Sequence, residues 1–251
     1  MRISATIITL NEEINIGRCI DSLEGVADEI IVMDSNSTDK TKEICMQKGV
    51  RFVSQTWLGY AAQKNQLNAL AQYEMILSID ADEALTERLK ESILELKKKE
   101  IIGVYAINRI TNYCGKWIKH SGWYPDVKTR LFPKETSRWE GDIVHEELIF
   151  DPMYTPNMLR GDLAHYSYVS HKQHRSRADH YSRLTAKKYV EQNKKVFWLQ
   201  PEISGIFRFL KMFVLKCGFL DGLSGFHIAR ISAMSNLYKY QVVKQLYRES
   251  K

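Results

Sequence analysis

Short apolar runs alternate with amphipathic stretches along the N-terminal part of the chain. Ile3-Ser-Ala-Thr-Ile-Ile-Thr9 reads as a strand, with Leu10-Asn-Glu-Glu13 as the turn after it. From Ile14 to Leu23 the spacing becomes helical, with Ile16, Ile20 and Leu23 on one face. Glu29-Ile-Ile-Val-Met33 is a second strand, ending at Asp34-Ser-Asn-Ser-Thr-Asp39. The next helix is expected over 38–47, capped by Ser37 or Thr38 and stopped by Gly49. A third strand over 50–53 and a helix over 60–72 lead to the apolar run Met75-Ile-Leu-Ser-Ile79, and a solvated helix follows over 86–99. Beyond Lys99 strands are expected at 103–109 and 127–132, with aromatic-rich loops between and after them. A basic helix is expected from His171 to about Lys195, a break at Pro201, an apolar stretch with interspersed cations over 206–216, and a last helix over 225–249.

Strands that alternate with helices point to an α/β fold, a mostly parallel sheet with helices on both faces. Such sheets bind ligands outside the carboxyl ends of their strands. Asn11, Asp34 and the pair Asp80/Asp82 all fall at such ends, which favours one shared site. In an extended chain Asp80 and Asp82 project to the same side, with only Ala81 between them. Two carboxylates so placed repel unless a cation sits between them, and a divalent ion shared with phosphates suits them. The competing reading is a helix-capping Asp82 beside a solvated Asp80.

Composition is that of an ordinary globular protein, with 44% hydrophobic and 26% charged residues. Neither a signal peptide nor a membrane span is expected, and Cys19, Cys45, Cys114 and Cys217 are spaced for neither metal nor redox work, which suits a cytoplasmic protein. Charge changes the picture more. Residues 160–251 hold 17 Lys and Arg against 6 Asp and Glu, whereas the other 159 residues hold 19 against 24. The division expected is a catalytic domain over 1–165 and a basic helical region over 166–251. A basic region of this kind suits a polyanionic partner, a membrane surface or a nucleic acid. Phe207, Phe209, Leu210, Phe213 and Leu215 beside Arg208, Lys211 and Lys216 favour the membrane, by peripheral contact, with core packing as the rival explanation.

Four motifs occur in order: Ile7-Ile-Thr-Leu-Asn-Glu12, Val32-Met-Asp-Ser-Asn-Ser-Thr-Asp39, Gln63-Lys-Asn65 and Ser78-Ile-Asp-Ala-Asp-Glu83. The chain thereby resembles the inverting family-two glycosyltransferases. Trp123-Tyr-Pro-Asp126, Arg130-Leu-Phe132, Val144-His-Glu146 and Phe219-Leu-Asp-Gly-Leu-Ser-Gly225 resemble the branch typified by lipopolysaccharide inner-core β-1,4-glucosyltransferases acting on heptose. The resemblance implies the A-type nucleotide-diphospho-sugar transferase fold with a helical C-terminal extension. It also implies a UDP-sugar donor, Mg²⁺ or Mn²⁺, a lipid-linked saccharide acceptor and work at the inner face of the cytoplasmic membrane. On this basis Thr9, Leu10, Asn11 and Glu12 line the base and ribose pocket, and Asp34 takes the uracil edge. Lys64 lies near base or phosphates, Asp80 contacts ribose or metal, and Asp82 ligates the metal. The family's usual two adjacent acids are here reduced to Asp34, followed by Ser35-Asn36.

An inverting transfer needs a cation for the leaving diphosphate and a general base for the acceptor hydroxyl. Asp142, Glu146 and Glu147 are the candidates for the base. Glu146 is preferred because it lies in the Val-His-Glu motif, and Asp142 is the alternate. His145 is a further metal ligand or phosphate contact, with His165 competing for that role. Arg130 is a candidate for the donor diphosphate or an anionic acceptor. Trp123, Tyr124 and Trp139 suit stacking on sugar rings, or else anchor their loops as core aromatics.

Overall fold

The computed structural model describes residues 1–141 and 146–249. It opens with β1 (Ile3–Thr9), α1 (Ile16–Asp21), β2 (Glu29–Asp34), α2 (Thr41–Gln47), β3 (Arg51–Ser54), α3 (Tyr60–Ala69) and β4 (Met75–Asp80). A short β5 (Glu83–Leu85) and α4 (Glu87–Lys99) follow. Then come β6 (Tyr105–Tyr113), β7 (Lys116–Ile118), β8 (Asp126–Pro133), β9 (Ser137–Glu140), β10 (Glu147–Phe150) and β11 (Asn157–Tyr168). The chain ends in α5 (His171–Glu191), α6 (Gln200–Leu210) and α7 (Gly222–Glu249), with a π-helical turn over Lys211–Leu215 and a 3₁₀ turn over Gly218–Asp221.

Two compact units emerge, Met1–Arg109 with Asp126–Tyr166, and Ile110–Pro125 with Ser167–Lys251. In the first, β3, β2, β1 and β4 lie side by side and parallel, and β8 joins β4 antiparallel. The full strand order is β3-β2-β1-β4-β8-β6-β11-β5, so the sheet is mixed beyond β4. Alternation along each strand sends its side chains to two separate cores. Ile3, Ala5 and Ile7 of β1, Val32 of β2 and Met75, Leu77 and Ile79 of β4 pack with Ile16, Cys19 and Ile20 of α1 and Leu89 and Ile93 of α4. Ile8, Ile31, Met33 and Ile76 point the other way, onto Leu67 of α3, Phe132 and Trp139. Helices therefore cover both faces, as the alternation predicted.

Register brings the strand ends together. Thr9 pairs with Asp34 across β1 and β2, and Ile8 pairs with Asp80 across β1 and β4. The helix expected from Thr38 begins three residues later, at Thr41. Neither Ser37 nor Thr38 caps it, because both side chains bond to Asn11 or Asp34 instead.

In the second unit α5, α6 and α7 pack together. Ser182 of α5 bonds Ser235 of α7 at 2.6 Å, and Asn236 of α7 donates to Ser204 Oγ of α6 at 2.6 Å. Pro201 does not break the chain but sits in the first turn of α6, where its missing N–H has no helical partner to lose. Gly225, in the first turn of α7, lies so close to the 3₁₀ turn that a Cβ would fall 1.8 Å from Gly218 O. Asp221 in that turn is buried and accepts from the backbone N–H of Lys119 and His120 and from the Ser121 hydroxyl. The Phe219–Gly225 motif is thus a fastening within this unit.

Candidate active site

The loops after β1 and β2 clasp each other at the carboxyl edge of the sheet. Ser37 donates its backbone N–H to Asp34 Oδ2 at 2.8 Å and its hydroxyl to Asp34 Oδ1. The same hydroxyl accepts from Asn11 N at 2.7 Å, and Asn11 Oδ1 accepts from Thr38 N at 2.8 Å. Asn11 holds a left-handed backbone (φ 53°), tolerable for a residue with a short polar side chain. Glu12 N and Glu13 N donate to Thr41 Oγ1 and Asp39 Oδ2. The Ser-Thr-Asp motif therefore fixes the shape of the first loop. Asp34, expected on a uracil edge, turns its carboxylate onto Ser37. Leu10 and Asn11 are exposed at the rim, whereas Thr9 is buried with its hydroxyl unpartnered.

Lys64 is the centre of the next shell. It sits on α3, 2% exposed, with Nζ 3.0 Å from Asp80 Oδ1, 3.2 Å from Glu146 Oε1 and 4.6 Å from the centre of the Trp139 ring. A buried ammonium is costly unless paired, and here two carboxylates and an aromatic face surround it. Asn65 on the same helix exchanges two 2.8 Å hydrogen bonds with the Trp139 backbone, which fixes β9 against α3. Trp139 was a candidate for stacking on sugar; the structure corrects that. Its ring is 6% exposed, packed on Phe132 and covered by Lys64, so no sugar can lie on it.

Asp80 lies between two cations. Arg130 Nη2 reaches its Oδ2 at 2.7 Å while Lys64 holds Oδ1. Burial by itself would raise the Asp80 pKa, but Arg130 and then Lys64 override it and hold the carboxyl well below the usual range. Arg130 is 4% exposed and shares Nη2 with Glu83 Oε1 at 2.8 Å. It was expected on the donor diphosphate or an anionic acceptor. The structure corrects this, because the guanidinium is buried and already paired with two carboxylates. Burial works against its charge, yet Asp80 and Glu83 raise its pKa further.

Sequence reasoning passed over the rest of this chain of charges. Glu83 is fully buried and accepts from Asp80 N at 2.9 Å, which closes the turn after β4. Its Oε1 also meets Arg109 at 3.1 Å, and Arg109 donates through Nε and Nη2 to Asp126 Oδ2 at 2.9 and 2.7 Å. No sequence signal marks this pairing, because Arg109 in β6 and Arg130 in β8 lie in strands that carry other polar residues as well. Beneath the turn, Cys19 is buried with Sγ 3.7 Å from Asp80 O, and burial followed by Glu83, Asp82 and Asp80 pushes its thiol pKa well up.

Asp82 lies beyond this network. Its carbonyl accepts from Tyr166 N at 2.8 Å, and its Oδ2 stands 3.2 Å from His165 Nε2 on β11. The register His165↔Glu83 holds that imidazole over the acidic turn, and its buried Nδ1 has no partner. Asp82 and His165 fit a divalent cation: both are accepted ligands, they are close together, and Asp82 keeps some exposure. Among the described residues no three His, Cys, Asp or Glu gather as a complete protein cage. Magnesium-type ions bound to nucleotides need none, since one or two side chains suffice and phosphates and water fill the remaining positions. Asp142 and His145 lie outside the described residues. Trp123 and Tyr124 belong to the second unit, where Trp123 packs edge-on against Tyr113 and His174 as a core aromatic.

A family model described as "Glycosyl transferase family 2" matches residues 4–155. An uncharacterized glycosyltransferase of Rickettsia prowazekii is 32% identical, over 99% of this chain and 89% of its own length. The lipopolysaccharide core biosynthesis glycosyltransferase LpsC of Rhizobium meliloti is 29% identical, over 98% of this chain and 92% of its own. Among solved structures, glucosyl-3-phosphoglycerate synthase from Mycobacterium tuberculosis with Mn²⁺ and UDP-glucose aligns over 44% of each chain. That match has 26% identity and a TM-score of 0.37, too slight a likeness to carry donor or metal across.

Proposed function

Because this chain belongs to glycosyl transferase family 2, with the A-type fold of that family, we propose that it moves a hexose, glucose foremost, from a UDP-sugar to a saccharide of the lipopolysaccharide core. The observation that carries the proposal is the convergence at one sheet edge of Asp34, Asp80, Asp82, Lys64, Glu146 and His165. LpsC, similar along nearly its whole length, supports the acceptor class.

In this reading the Thr9–Glu12 loop, held by Asp34 through Ser37, receives the base and ribose. Lys64 and Arg130 hold Asp80 in place, so the acidic turn sets Asp82 beside His165 of β11. A divalent cation bound there, Mg²⁺ or Mn²⁺, supplies Lewis acidity to the departing diphosphate. Glu146 takes the proton from the acceptor hydroxyl as that oxygen attacks the anomeric carbon from the face opposite the leaving group. The bond to the nucleotide breaks on the other side, and the anomeric configuration inverts.

The second unit suits a lipid-linked acceptor. Ile203, Ile206, Phe207, Leu210 and Val214 recur at helical spacing and are exposed, the reverse of a core-facing stripe. Leu215 and Leu223 are 71% and 79% exposed, and Arg208, Lys211 and Lys216 lie among these residues in sequence. No described helix is long and apolar enough to cross a membrane. A cationic, apolar surface of this kind fits a peripheral position on an anionic bilayer, here the inner face of the cytoplasmic membrane. The test is transfer of labelled glucose from UDP-glucose to a heptose-containing core acceptor, with the anomeric configuration of the product read by NMR. Retention of configuration, or no transfer from any UDP-hexose, would overturn the proposal.

A further inference from the structure

A second cluster of charge lies wholly within the second unit. A cavity of about 330 Å³ opens between α5 and α7, lined by His171, Lys172, Arg175, Asp179, His227 and Arg230, with Ile231 and Met234 closing one wall. Three permanent cations and two imidazoles meet one carboxylate there. Asp179 offsets little of that charge, since its closest approach to Arg175 is 3.9 Å between exposed groups. The rings of His171 and His227 stack with centroids 4.2 Å apart.

We infer that this cavity binds a phosphate ester: a phosphoryl group on the Arg175–Arg230–Lys172 side, with the carbon skeleton it is attached to against Ile231 and Met234. The number of donors decides the anion. Two guanidiniums, an ammonium and two imidazoles offer more N–H groups than one carboxylate can accept, whereas a tetrahedral phosphoryl group has three acceptor oxygens and up to two charges. The volume exceeds what a bare ion needs and falls in the range of small-molecule sites. The apolar wall points the same way, because inorganic phosphate gains nothing from it. Crowding is already visible without the anion: burial, then His171 and Arg230, lower the His227 pKa. A bound anion would relieve that strain. The inference does not depend on what the first unit transfers.

Two sources supply this chemistry, a soluble phosphate ester and a phospholipid headgroup. Calorimetry of the whole protein with glycerol 3-phosphate addresses the first. Cosedimentation with phosphatidylcholine vesicles, with and without phosphatidic acid, addresses the second. Arg230→Ala and Arg175→Ala should each weaken the phosphate-dependent binding about tenfold, the usual worth of a charge-assisted hydrogen bond. Lys188→Ala, which removes one charge from α5 outside the cavity, should change it less than twofold. Helical circular dichroism and the thermal midpoint, measured in parallel, report that each variant is folded. An Arg230-dependent signal with glycerol 3-phosphate alone assigns a soluble ester, and one with phosphatidic acid assigns a headgroup; either supports the inference. Absence of binding on both arms overturns it, as does equal weakening by Lys188→Ala and Arg230→Ala, which would mean diffuse charge.

Discussion

Lys64 shows how a single residue joins the parts of this site. It is buried on α3, yet its ammonium touches Asp80 at the end of β4 and Glu146 from the segment before β10. The sequence marked all three residues, but on separate motifs with no stated contact. Only the fold shows that Lys64 lies between the other two. Removing one partner of a buried ion pair leaves the other charge uncompensated, so Lys64 binds the position of Glu146 to that of Asp80. Glu146→Gln keeps the shape and an accepting oxygen while removing the proposed base. Turnover should fall about 10²–10⁴-fold, the usual worth of general acid–base catalysis, while UDP affinity holds. Steady-state kinetics with direct UDP titration checks this. Full activity in Glu146→Gln would move the base elsewhere.

At the scale of elements, alternation along β1, β2 and β4 was legible because each strand sends side chains to two apolar cores. The carboxyl-end cluster was legible for the same reason, since polar residues stop those runs. The role of Ser37 and Thr38 was not. Their composition fits a helix cap, and only the neighbouring β1 loop gives them a better partner in Asn11. Arg130 was misread because a strand cation gives no sign of whether a buried carboxylate awaits it; Glu83 does. The basic helix α5 hides a further surprise, a buried His174 whose Nδ1 lies 3.0 Å from the Tyr113 hydroxyl. Burial, and secondarily His171, lower its pKa from 6.5 to about 4. The unfolded chain therefore takes up a proton that the native state refuses. The resulting stability is complete above about pH 6.5 and is lost as pH falls toward 4, by about 3 kcal/mol at most. Denaturant titrations of wild type and His174→Asn between these limits should differ in slope, the variant being flatter. Parallel slopes would remove His174 from the acid response.

At the scale of the whole molecule, a sheet-edge site and a cationic apolar surface are carried on two units of one chain. The exposed stripe on α6 predicts membrane affinity that needs both features. Phe207→Ser with Leu210→Ser should lower binding to anionic vesicles several-fold, because each loses buried apolar area in the interface. Transfer to a soluble core fragment should be unaffected. Equal vesicle binding by the double variant would leave that stripe without a bilayer role. The central claim is that Asp82 and His165 make the sheet edge a metal-assisted site for a nucleoside diphosphate. Its most direct test is equilibrium binding of UDP to wild type and Asp82→Ala, each with Mn²⁺ and with EDTA. The account predicts that Mn²⁺ tightens UDP binding tenfold or more in wild type, from a cation bridging protein and diphosphate, and by nothing measurable in Asp82→Ala. Equal tightening by Mn²⁺ in both proteins would contradict it.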